Sequence, residues 1–317
     1  MKRKIRWLLY HTPVELFIRT AEAFSEKITE LTNGNIEIEI IPLEDYDQHV
    51  ATQGEQFSPI ALMQSGDIEM SQIHTSRIGT WNTPDFFALE LPFLFSDHDH
   101  ATRVLDGEIG MGMLGRLSQT TPMRGLAFTY SGGYRVIASD KIINNVEDLA
   151  GLNVAVFSVP ILHDIVKSFG CEPMVISNRE NSEEERAKRH LASLQTTLPR
   201  YQVEADAEVQ KYVTNTQHSM YLTSIVISAN FWDTLSIEEQ AAMTEASQYS
   251  SKLERAWSIA DADKIANDAD EQKRLKIQNY QEFPQVEKDK MKAMSQKVYT
   301  KYTPMFSTGL VQGILDA

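Results

Sequence analysis

Asp97-His98-Asp99-His100 gathers two carboxylates and two imidazoles in four positions. Both are metal donors, but a metal site needs them to converge. Neighbouring helix positions point to different faces, so these four cannot. At a helix start the two aspartates answer the positive end of the helix dipole instead. Gly110-Met-Gly112-Met-Leu-Gly115 has the G-x-G-x-x-G spacing. That spacing cradles a dinucleotide only between a strand and a helix, and here the preceding HATRVLDGE reads as polar helix. The chain contains no H-E-x-x-H, P-loop or G-x-S-x-G. No nucleophile stands at readable spacing from a base. The residues therefore offer no catalytic constellation and imply no cofactor.

What remains is recognition without chemistry. Open α/β sheets bind ligands in the loops at strand ends. Tyr10 and His11 follow the first strand, His74 and Thr75 the third, and Tyr130 the next. Phe157 and Ser158 follow a strand that carries Ala155, and Arg77 lies in the HTSRIG loop. The aromatics can stack on a ring or shape an apolar wall. A histidine just past a strand end, as at His74, can donate or accept a hydrogen bond.

The elements that position these residues alternate. Ile5–Tyr10 reads as a strand, and Leu16, Ala21, Phe24, Ile28 and Leu31 recur with helical spacing. Asn33-Gly34 stops that helix, and Ile36, Ile38 and Ile40 then share one face of a second strand. Strand, helix, strand argues for a βαβ unit and an α/β fold. A helix over 58–65 stops at Gly66, and a strand covers 68–73. A helix follows Ser96 or Asp97, with strands at 125–129, 134–139 and 153–157 and helices at 146–150 and 160–169. Ser182–Glu185 and Ser236–Glu239 both fit the capping box. Thirteen of the fifteen glycines precede position 171, and no proline falls between 237 and 283. That last stretch reads as mostly helix. The run at 178–190 reads as a solvated face.

Composition narrows the partners. The chain has 317 residues, enough for two domains, and 42% are hydrophobic, as in globular proteins. Lys and Arg number 30 against 44 Asp and Glu, a formal charge of −14. A phosphate-backbone grip needs clustered cations, so nucleic acid is excluded as a general partner. Cys171 is the single cysteine, which rules out an internal disulfide. No apolar run reaches the ~18 residues of a membrane span, so direct insertion is not expected. Only Trp7 to Tyr10 follow the basic start, too few for a secretory h-region. The chain is expected to be cytosolic, or to start at a mature sequence with no signal peptide.

Several segments together resemble one family. GDIEMSQI (66–73), LELPFLFSDHDHATRVLDGEIG (89–110), GGYRVIAS (132–139), VEDLAGLNVAV (146–156), EVQKYV (208–213) and NFWDTLSIEEQ (230–240) are similar, in order and spacing, to the DctP-type solute-binding proteins of tripartite ATP-independent periplasmic (TRAP) transporters. The resemblance covers nearly the whole chain. It implies an α/β, two-lobed periplasmic-binding-protein-like fold with a long helix spanning both lobes. Lobe I would hold 1–127 plus roughly 214–250, and lobe II 128–213 plus roughly 251–317, with helices crossing between them. It further implies a periplasmic receptor that closes on a small organic solute, often an anion, and hands it to TRAP membrane permease subunits.

The same resemblance exposes a departure. The strand after "D-L-x-G-L" usually reads K-I-R-V, and its arginine grips the ligand carboxylate; here that position is Ala155. The loop usually reading D-G-x-E-N has its nearest match in residues 192–199. There Ala192 and Gln195 replace the acidic pair, Ser193 replaces the glycine, and Thr196 follows. The arginine of the G-x-R segment is kept as Arg135. The expectation is an organic acid held atypically by Arg135 or Arg77, or else a neutral or zwitterionic solute. A ligand-sensing domain on the same scaffold is the alternative use.

Overall fold

The computed structural model describes residues 2–10, 15–43, 58–176 and 183–317. Ten strands run in chain order: β1 (Arg3–Leu9), β2 (Ile36–Pro42), β3 (Met70–His74), β4 (Met123–Ser139), β5 (Asn153–Val156), β6 (Glu172–Val175), β7 (Ser193–Thr197), β8 (Tyr212–Asn215), β9 (Met220–Ser228) and β10 (Asn279–Glu282). The chain forms two compact units. Unit 1 is Met1–Thr83, Thr102–Tyr130 and Leu222–Ser258; unit 2 is Pro84–Ala101, Ser131–Tyr221 and Ile259–Ala317. The chain therefore crosses between units several times, and Pro84–Ala101, which the sequence division assigned to lobe I, clusters with unit 2.

Unit 1 is built on the expected βαβ start. Ile5 and Trp7 alternate inward on β1, and both are fully buried. The helix Glu15–Leu31 buries Leu16, Phe17, Ala21, Phe24 and Ile28 as one stripe. Phe24 meets Trp7 edge to face, with ring centres 5.1 Å apart. Asn33 and Gly34 turn the chain in the left-handed region. β2 then returns parallel to β1, with Ile38 opposite Ile5. β3 lies parallel to β1 and antiparallel to β9, so the order is β2-β1-β3-β9-β4. The helix Pro59–Ser65 is capped by Ser58 and ended by Gly66, as its sequence predicts.

A 31-residue helix, Ile237–Asn267, opens with the expected capping box. Glu239 N–H donates to Ser236 Oγ at 3.2 Å, and Ser236 N–H donates to Glu239 Oε2 at 2.8 Å. Its residues up to Ser258 belong to unit 1 and the rest to unit 2. Asp268 then caps a new helix, Ala269–Arg274.

In unit 2, β7 pairs antiparallel with β4 and parallel with β5, which pairs parallel with β6. β8 pairs with β4 and with β10. Val136, Ala138, Leu194, Leu198, Tyr201 and Ile265 form its apolar centre.

One expectation is corrected. The two strands at 125–129 and 134–139 are one strand, β4. Gly132 and Gly133 sit inside it at φ 92° and 83°. A Cβ on Gly132 would lie 2.1 Å from Thr197 Oγ1, so only glycine lets the strand approach there. The stretch after 237 is mostly helix, as expected, with a break at Asp268, and it closes on the short strand β10. Gly110, Gly112 and Gly115 lie within the helix Glu108–Thr120, where Gly110 backs onto Leu105 O; they form no phosphate loop. His11 and the Ser182 cap lie outside the described residues.

Candidate functional site

Unit 1 carries five of the expected residues: four follow or close β1 and β3, while Tyr130, expected past a strand end, lies in the middle of β4. Tyr10 and His74 are buried at 7% and 5% exposure. His74 stands opposite Thr223 of β9. Thr75 donates its hydroxyl to Leu222 O at 3.1 Å. Arg77 is exposed on the short helix Thr75–Gly79. Tyr130 is fully buried on β4, with the Arg255 guanidinium carbon 6.0 Å from its ring centre. Arg255 itself holds both oxygens of Asp106, at 2.8 and 2.7 Å.

Deeper in unit 1 lies a polar cluster that the sequence did not announce. The Gln72 amide nitrogen lies 2.8 Å from Thr129 Oγ1, 3.0 Å from Thr223 Oγ1 and 2.9 Å from each Glu254 oxygen. Thr20 donates to Glu254 Oε2 at 2.9 Å. Burial pushes the Glu254 carboxyl up to about 8, against the hydrogen bonds of Thr20 and Gln72 and the charge of Arg255, and so favours its neutral form.

Unit 2 concentrates charge. Arg135 on β4 is 4% exposed, and its Nη2 reaches Glu90 Oε2 at 3.4 Å. Its guanidinium carbon lies 3.8 Å from the centre of the Tyr221 ring. Arg200, on the helix Leu198–Glu204, faces the same ring at 4.9 Å and is 2% exposed. Arg200 Nη1 donates to Ser131 Oγ at 2.7 Å, and its Nε donates to Glu204 Oε1 at 2.9 Å. Its Nη2 donates to that same oxygen, while Thr196 donates to Glu204 Oε2. Burial raises the Glu204 carboxyl, but Arg200, the Thr196 hydroxyl and the Arg135 charge outweigh it and hold the group below the usual carboxylate range. The neighbouring His218 lies 2.7 Å from Thr216 Oγ1 and 3.3 Å from Gln195 Oε1. Burial and the Arg135 charge push it down to about 3, so it is neutral. A buried assembly of two guanidiniums and two carboxylates is costly to desolvate.

A scan against protein families matches residues 11–304 to the DctP family, bacterial extracellular solute-binding protein family 7. The chain belongs to this family. Its members are bacterial extracellular solute-binding proteins. It is 23% identical over 301 residues to the C4-dicarboxylate-binding protein DctB of Bacillus subtilis, covering 93% of this chain and 81% of that one. Two crystal structures share the fold. The sugar acid binding protein DctPAm of Advenella mimigardefordensis, in complex with galactonate, superposes with a TM-score of 0.83 at 22% identity, over 99% of this chain and 97% of that one. A TRAP solute-binding protein of Polaromonas sp. JS666, bound to D-erythronate, gives 0.82 at 22% identity over 99% and 98%. No described helix is long and apolar enough to cross a membrane.

The receptor's remaining expected residues sit in unit 2. Ala155 on β5 lies between Met174 of β6 and Leu194 of β7. Its methyl group joins the apolar cluster of Val136, Leu194 and Tyr201. Phe157 packs against that cluster half-buried, and Ser158 is exposed. Thr196 is fully buried and holds Glu204. Thr196 thus joins the Glu204–Arg200 pair, which Arg135 meets across the Tyr221 ring; Ala155 lies among apolar neighbours, and Ser158 is exposed. Asp97-His98-Asp99-His100 diverges as expected: Asp97 Oδ1 accepts the His100 N–H at 2.7 Å, while His100 Nε2 lies 2.7 Å from Ile314 O. Among the described residues no group of three or more such side chains could hold a metal ion. Arg200, Glu204, Glu90 and Tyr221 were missed. Their sequence signal was faint: an Arg and a Glu at i, i+4.

Proposed function

We propose that this receptor captures a small organic acid and delivers it to the membrane permease subunits of a TRAP transporter. We further propose that it grips the acid through buried guanidiniums of unit 2 and not through an arginine on the strand that carries Ala155. The pair Arg135 and Arg200, both within 5 Å of the Tyr221 ring centre, carries this reading. Guanidinium is the side chain best matched to a carboxylate, because its planar fork meets both oxygens. The named relatives point the same way: C4-dicarboxylates, galactonate and D-erythronate are all carboxylates.

One observation favours a second reading. Glu90 and Glu204 match the two arginines charge for charge. A zwitterionic or neutral solute would suit a balanced site better than a plain anion.

A thermal-shift panel separates the two. Succinate, D-erythronate and galactonate are screened beside amino acids and neutral sugars. A ligand at ~100 times its Kd adds about 2.7 kcal/mol of stability, which raises the melting temperature. A rise with acids alone supports the first reading. A rise with amino acids or sugars alone overturns it.

A further inference from the structure

We infer that Arg200 is the guanidinium that receives the solute's carboxylate, and that Glu204 is a resident carboxylate which the solute displaces. This rests on the organic-acid reading above.

The register places Arg200. Ala155 pairs with Leu194, and Val136 pairs with Thr196. Side chains alternate along a strand, so Leu194 and Thr196 share a face, ~7 Å apart. Ala155, Leu194 and Val136 meet in one cluster, which identifies that face. Thr196 holds Glu204, and Glu204 holds Arg200. Glu204 therefore reaches the sheet face on which position 155 presents only a methyl, and Arg200 links it to Ser131 and to the Tyr221 ring on which Arg135 also stacks.

The geometry of the pair marks Glu204 as replaceable. Nε and Nη2 of Arg200 converge on a single oxygen, Oε1, while Oε2 is spent on Thr196. The two-oxygen match that makes arginine–carboxylate pairs strong is not made. A solute carboxylate can offer both oxygens to the same fork. Access is unequal too: the Glu204 side chain is 20% exposed and that of Arg200 3%. Glu204 is thus the partner nearer solvent. Arg200 stays fixed by Ser131 and Tyr221.

The test compares wild type with Glu204→Gln, Arg200→Lys and Arg200→Gln, using the acid that stabilises wild type most in the panel above, and its uncharged amide as control. Glu204→Gln leaves a buried cation poorly matched, so its melting temperature without solute falls. Yet it binds the acid at least tenfold tighter, with no change for the amide. Arg200→Lys, which keeps the charge and loses the fork, binds about tenfold weaker, and Arg200→Gln at least 100-fold weaker. A merely structural ion pair would lower the melting temperature of Glu204→Gln and leave its affinity alone; that result overturns the inference. So does acid binding by Arg200→Gln within twofold of wild type. If Arg200→Gln does not fold, Glu204→Gln and Arg200→Lys decide. A wild type that binds no acid in the panel overturns the organic-acid reading itself, and the inference falls with it.

Discussion

Tyr221 lies 3.8 Å from the Arg135 guanidinium carbon and 4.9 Å from that of Arg200, so one buried ring serves two cations. The ring's negative faces offset the repulsion between like charges in a site that excludes water. Burial also pushes the Tyr221 hydroxyl up to about 12, so it stays neutral and adds no charge of its own.

Tyr221→Leu removes those faces and leaves a smaller side chain in a packed position. We expect a loss of about 2–4 kcal/mol in urea unfolding, from cavity and cation–π terms together. Tyr221→Phe keeps the ring and should lose less than half as much. Equal losses in the two variants would mean that the hydroxyl, and not the ring, holds the site.

The raised carboxyl of Glu254 predicts a pH dependence. Its folded value of about 8 lies above the ordinary 4.5. Folding therefore takes up a proton between those values. The stabilisation is fully present below pH 4.5 and is lost as pH rises toward 8, by several kcal/mol. Glu254→Gln cannot titrate and keeps the hydrogen-bonding shape. Its stability relative to wild type should climb steadily from pH 5 to pH 8.5. Parallel curves for the two proteins would show that Glu254 is ionised in the fold.

His218 predicts the opposite slope. Its folded value of about 3 lies below the ordinary 6.5. Its stabilisation is present above pH 6.5 and is lost as pH falls toward 3, because the unfolded chain binds the proton first. His218→Gln should narrow the gap between denaturation midpoints at pH 7 and pH 4. An unchanged gap would assign acid sensitivity to other groups.

Local signals explain what was legible in the chain. The stripe of Leu16, Phe24 and Ile28, the Ser58 and Gly66 caps and the Ser236–Glu239 box are all short-range, and each matches the structure. What failed was long-range. Glu90 meets Arg135 from 45 positions away, and Gln72 meets Glu254 from 182. No pattern in a window of ten residues records such pairs. β7, Ser-Leu-Gln-Thr-Thr, is too short and polar to read as a buried strand, so Arg200 just beyond it had no element to place it. The continuity of β4 through Gly132 depends on another long-range contact, its close approach to Thr197.

Gly132 also makes a sharp prediction. Its φ of 92° suits glycine, and an added Cβ would press on Thr197 Oγ1 and Cβ. Gly132→Ala should cost several kcal/mol, because strain and overlap add. Thr197→Ser does not relieve it, since the Oγ1 contact remains; Thr197→Ala in the same chain should recover part of the loss. A Gly132→Ala protein with the wild-type midpoint would place the strand differently.

Whether positions 155 and 200 share a sheet face can be tested by substitution. Ala155→Arg alone puts a long cation into the cluster of Val136, Leu194 and Tyr201, with Arg200 already paired to Glu204. Overpacking and an unmatched buried charge should cost at least about 3 kcal/mol. In an Arg200→Ala background both penalties shrink, because space opens on that face and Glu204 needs a new partner. The double mutant should therefore be more stable than the sum of the single losses predicts, by about 1–3 kcal/mol. Strict additivity in urea unfolding would mean that positions 155 and 200 do not share a face, and would remove the structural basis for assigning the solute's carboxylate to Arg200.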